Sequence, residues 1–87
     1  MKIEIDDTMC PNLLCAMLIW LGKQEYAVQV TLIDGKKREG IFAATSSEVT
    51  AGRTSDDIEL EDLELVLVRP SRVRLSIPAS AIRSIKF

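Results

Sequence analysis

Eleven lysine and arginine side chains and no histidine set the chemistry open to this 87-residue chain. Without imidazole, histidine triads, histidine general bases and Cys₂His₂ zinc sites are excluded. Cys10 and Cys15 match no zinc or redox spacing, and they read as small buried hydrophobes of a reduced compartment. Ser46, Ser47 and Ser80 are ordinary turn serines. No spacing brings a nucleophile to a base, so the chain is not expected to be an enzyme or to hold a catalytic residue. Asp56, Asp57, Glu59, Glu61, Asp62 and Glu64 form an acidic stretch. It lacks the alternating Asp-x-Asp-x-Asp-Gly order of a calcium loop and reads as a solvated face. No metal or cofactor is expected.

What remains is positive charge in two clusters. Lys36, Lys37 and Arg38 form one; Arg69, Arg72 and Arg74 form the other. Repeated around an assembly, either would make a belt able to hold phosphates. Charged turn tips also serve solubility and protect sheet edges. The chain as a whole carries a formal charge of −2, which opposes bulk attraction to nucleic acid.

The elements that carry these clusters follow from periodicity. Across 26–42, Val28, Val30 and Leu32 alternate with Ala27, Gln29, Thr31 and Ile33, the period of a half-buried strand. Asp34-Gly35 is a hairpin turn, because Gly35 accepts positive φ without steric cost. Gly40 sits at the centre of the return strand, where a glycine marks a sharp bend or a close backbone approach. Strands are further expected over 63–69, 72–77 and 82–87, with Pro70-Ser71 as a tight turn. Val49 to Ala51 offers an extension of the second strand. Ahead of the hairpin, Pro11 opens a helix over 11–22, with Thr8 or Cys10 as its cap and Gly22 beside Lys23 as its stop. The helix is apolar nearly all the way round, which suits a plug in a barrel, a subunit contact, or both. Residues 1–10 alternate Ile3 and Ile5 with charges and read equally as a short edge strand or a frayed arm. The apolar run 13–21 is far shorter than the roughly 20 residues of a membrane helix, and the N-terminus has no secretory pattern. A cytoplasmic protein without membrane contact is expected.

Val28, Val30, Leu32, Asp34, Gly35, Gly40 and Phe42 together resemble the first motif of the Sm and Sm-like (LSm) family. The C-terminal LSIPASAIRSIKF is similar in layout to the second motif, with Ile77, Ile82 and Ile85 at its apolar positions. The resemblance covers 11–87, with a gap over the long acidic loop near 46–62. It implies a mainly β fold in one domain spanning 1–87. An N-terminal α-helix would be followed over 26–87 by a five-stranded, strongly bent open β-barrel of the Sm-like, SH3-like kind. It further implies a ring-forming protein, a cyclic homo-oligomer binding single-stranded RNA in RNA processing, stability or chaperoning. Its free fourth and fifth strands would join neighbouring copies, and Leu75, Ile77, Ile82, Ile85 and Phe87 are the expected interface residues.

The family's RNA pocket does not carry over. Glu64 stands at the position of its asparagine, Leu60 near its aspartate, and Pro78-Ala79 at its Arg-Gly pair. The Lys-His pair of the bacterial branch is absent with histidine. No aromatic lies in the acidic loop to stack on a base. RNA contact is therefore expected from Lys36, Lys37, Arg38, Arg69, Arg72 and Arg74. The alternative is a ring-forming structural or adaptor module with no RNA role, favoured by the excess apolar surface and the acidic loop.

Overall fold

The computed structural model describes residues 1–6, 8–50, 58–69 and 71–87. The middle of the acidic loop, 51–57, lies outside them, as do Asp7 and Pro70. In chain order the elements are β1 (Lys2–Glu4), α1 (Pro11–Gln24), β2 (Ala27–Leu32), β3 (Lys37–Phe42), α2 (Ser46–Val49), β4 (Glu64–Val68), β5 (Arg74–Pro78) and β6 (Ile82–Lys86). Single 3₁₀ turns, Leu60–Asp62 and Ala79–Ala81, precede β4 and β6. The six strands form one antiparallel sheet in the order β1-β6-β2-β3-β4-β5. The class is mainly β, and the sheet does not close: β1 and β5 are its edges. No helix among the described residues is long and apolar enough to cross a membrane.

The count of five strands needs correcting to six. The sixth comes from the N-terminal arm, whose Ile3 pairs with Ile85 and is buried. Ile5 N donates to Arg83 O at 2.8 Å and Phe87 N to Met1 O at 2.9 Å, so the arm is zipped along β6. The β6 edge, expected to be free, is therefore covered by the chain itself.

One hydrophobic core joins both sheet edges to α1. Ile3 from β1 and Ile77 from β5 belong to the same cluster as Val28, Val30, Phe42, Leu65, Leu67 and Ile85. Ile82 and Ile85, three apart, would face opposite sides of a regular strand. A register shift at Thr31/Leu32 opposite Arg83 lets both point inward. Gly40 sits where β3 meets β4: a Cβ there would lie 3.1 Å from Val68 O and 3.3 Å from Leu67 Cβ. That close approach is the role its place in the strand predicts.

Two helix readings are revised. α1 begins at Pro11 as expected, with Cys10 at its N-cap but making no side-chain cap bond. It does not stop at Gly22. It runs to Gln24 and ends on Glu25, which takes the left-handed conformation at φ 55. Gly22 is buried because its missing side chain lets α1 settle on the backbone of Ala44; a Cβ would stand 2.8 Å from Ala44 O. The glycine marks a helix contact, which in sequence looks the same as a helix stop. Val49, expected on an extended strand, ends α2 and is fully buried. Thr45 starts that turn: Glu48 N donates to Thr45 Oγ1 at 3.2 Å, and Thr45 N donates to Glu48 Oε1 at 3.1 Å.

Candidate nucleic-acid interface

The outer face of the sheet is built by the residues that alternate with the core. On β2 these are Ala27, Gln29 and Thr31, paired with Ile41, Glu39 and Lys37 on β3. On β6, Lys86 lies beside Gln29. An open groove of about 1280 Å³ follows this face, running on to Val68, Arg69 and Phe87. The ionic side chains of its lining are Lys37, Arg69 and Lys86 against Glu39, a net of +2; Arg38 also borders it but pairs with the buried Val30 and stems from the other side of β3. The whole chain is −2, so charge is segregated onto this face.

These cations are largely unspent. Lys37, Arg69 and Lys86 are exposed, and none has a side-chain partner among the described residues. Arg38 Nη1 donates to the Lys37 carbonyl at 2.9 Å. The Glu39 carboxylate accepts from Gln29 Nε2 at 2.9 Å, which ties down the one anion in the lining.

Of the six cations expected from sequence, three meet in this groove: Lys37, Arg38 and Arg69. Lys36 stays at the hairpin tip, where its backbone N–H donates to Asp34 Oδ1 at 2.9 Å. Arg72 sits in the β4–β5 turn with φ 63, its N–H bonded to Arg69 O at 2.8 Å. Arg74 is engaged with the Glu48 carboxylate. The Thr45 backbone bond, followed by Arg74, holds Glu48 below the usual carboxylate range. Two lining residues were missed. Lys86 and Phe87 adjoin the other cations only because β6 pairs with β2, and no local spacing signals that.

The aromatics also gather. Trp20 at the end of α1 lies 5.9 Å from Tyr26 between ring centroids, tilted by 57°. Tyr26 in turn stacks on Phe87 at 6.1 Å and 19°. Three of the chain's four aromatics thus form a row whose last member lines the groove.

The residues named as an oligomer interface mostly serve the single chain. Ile77, Ile82 and Ile85 are buried in its core, Leu75 is half-buried against that core, and Phe87 belongs to the aromatic row. Of the cysteines, Cys15 is buried and its thiol is pushed up by desolvation, whereas Cys10 is exposed.

The two 3₁₀ turns pack together, and Ala79 N donates to Leu63 O at 2.8 Å. Leu60 is half-buried and Ala79 fully buried there. Comparison with protein-family models, with curated proteins and with solved structures finds no match.

Proposed function

We propose that the protein is an Sm-like RNA-binding domain that holds single-stranded RNA in the groove along β2, β3 and β6, acting in the cytoplasm in RNA processing, stability or chaperoning. The observation that carries this reading is the cluster of three exposed, unpartnered cations, Lys37, Arg69 and Lys86, against the single side-chain carboxylate of Glu39 on a chain of net −2. The helix ahead of five consecutive strands and their sheet order β6-β2-β3-β4-β5 support the Sm-like part, with β1 as an addition at the β6 edge. Phosphate contacts from Lys37, Arg69 and Lys86 would dominate the affinity.

The test is anisotropy of a labelled 12-nucleotide RNA. With three to four phosphate contacts, affinity should fall roughly 20- to 50-fold between 50 and 200 mM salt. Lys37→Glu, Arg69→Glu and Lys86→Glu combined should abolish binding. Salt-independent binding, or full affinity in the triple variant, refutes it. A ring-forming adaptor without an RNA role is the second reading, favoured by the unpaired outer edge of β5. It is selected if the parent binds no RNA at 50 mM salt.

A further inference from the structure

Trp20 and Tyr26 are 49% and 43% exposed, a large outlay of aromatic surface for a chain with so few aromatic residues. The fully buried side chains of the core are others, among them Phe42 and Leu14, Leu18 and Leu21 of α1. The Tyr26 hydroxyl and the Trp20 indole N–H have no hydrogen-bond partner among the described residues, so both polar tips face solvent. The row runs from α1 through Tyr26 to Phe87, and there it enters the cationic groove beside Lys86.

We infer that the Trp20–Tyr26–Phe87 row is a base-stacking platform, and that it makes the groove a site for single-stranded nucleic acid rather than duplex. This rests on the RNA-binding reading above and adds the part of the ligand that charge cannot read. Cations alone hold any phosphate chain; aromatic faces reward only bases that are free to leave their own stack. A duplex keeps its bases inside and presents nothing to the rings.

The experiment compares three probes on the full chain: a 12-nucleotide mixed-sequence RNA, an abasic 12-mer with the same phosphates, and a 12-base-pair RNA duplex. Trp20 is the sole tryptophan, so its emission reports directly on the platform. The RNA should quench it and bind at least tenfold tighter than the abasic polymer, the scale of one stacked base. Tyr26→Leu and Trp20→Leu should each bring RNA affinity toward the abasic value and leave abasic binding unchanged. Tyr26→Phe should retain full affinity. Should Tyr26→Leu fail to fold, Trp20→Leu on the exposed helix face carries the test. Equal affinity for RNA and abasic polymer overturns the platform while leaving the phosphate groove standing. Tighter binding of the duplex, or parent-like RNA affinity in both leucine variants, also overturns it. Binding of none of the three probes at 50 mM salt removes the RNA reading itself, and the platform with it.

Discussion

The two hairpins have the same bonding pattern but differ in one residue type. In the β2–β3 hairpin, Leu32 N donates to Lys36 O at 2.8 Å and Gly35 N to Leu32 O at 2.9 Å. In the β4–β5 hairpin, Arg69 N donates to Val73 O at 3.1 Å and Arg72 N to Arg69 O at 2.8 Å. Both are three-residue loops whose last residue is left-handed. In the first that residue is Gly35 at φ 89; in the second it is Arg72 at φ 63. A side chain in that region costs about 1–2 kcal/mol. A glycine costs roughly 0.4–1 kcal/mol through the freedom it gives the unfolded chain. The difference favours glycine by about 0.5–1 kcal/mol. Arg72→Gly should therefore stabilise the protein by that amount, and Gly35→Ala should destabilise it similarly. Packing does not blur the comparison, because a Cβ at Gly35 meets nothing within 4 Å. Arg72 is exposed and has no side-chain partner among the described residues. Urea titrations with unchanged slope, supported by melts shifted about 4–8 °C per kcal/mol, would read both effects. Arg72→Gly should also leave RNA affinity within a few-fold of the parent, since Arg72 lies outside the groove lining. A neutral or destabilising Arg72→Gly would show that its side chain supplies something the turn geometry does not contain, and would refute the reasoning.

Two further expectations concern packing and pH. Gly40→Val should destabilise by about 1–3 kcal/mol, because its side chain meets Val68 O and Leu67. Gly22→Ala should lower stability despite the better helix propensity of alanine, and a raised melting temperature would show that α1 is free to lift off Ala44. Glu48, whose folded-state pKa is lowered, contributes stability that is fully present above the ordinary glutamate pKa of about 4.3 and is lost as pH falls through the folded value. Glu48→Gln should remove that part of the acid dependence in pH-dependent melts, and an unchanged acid limb would refute the role given to Glu48.

What the sequence disclosed follows from the range of each signal. Val28 and Val30 announce β2 by alternation, and Gly35 and Gly40 announce a turn and a close approach, because these are properties of a few adjacent residues. β1 has three residues, and Ile3 and Ile5 alternate with charge as they would in a frayed arm; only pairing with β6 distinguishes the two. Gly22 reads as a helix stop because local chemistry cannot see Ala44. The groove was half legible. Lys37, Arg38 and Arg69 stood in visible clusters, whereas Lys86 and the row Trp20–Tyr26–Phe87 exist only once β6 lies beside β2. Arg74 misled because its partner Glu48 is remote in sequence.

The covered β6 edge decides what assembly requires. β1 is short, Ile3 is its one buried side chain, and Lys2 stands directly opposite Lys86. Burying an isoleucine is worth about 1.5–3 kcal/mol, while ordering the backbone costs roughly 1–2 kcal/mol per residue. Hydrogen bonds return about 0.5–1.5 kcal/mol each, so β1 is held only marginally. The other open edge is β5. Since Arg69 and Val73, and Leu63 and Ala79, are hydrogen-bonded, antiparallel alternation turns the free N–H and C=O of Arg74 and Ser76 outward. Pro78 has no N–H to add. A neighbour's β5 could replace β1 on β6, a head-to-tail contact that closes into a ring when the rotation permits. Deleting residues 1–6 should therefore promote a closed oligomer, larger than the species the parent forms, in light scattering at micromolar concentration. Adding Ser76→Pro should reverse it, because the lost N–H points away from β4 and only the new junction needs it. A truncated chain that stays monomeric, or an oligomer indifferent to Ser76→Pro, would leave β6 and β5 without the affinity for each other that a ring demands.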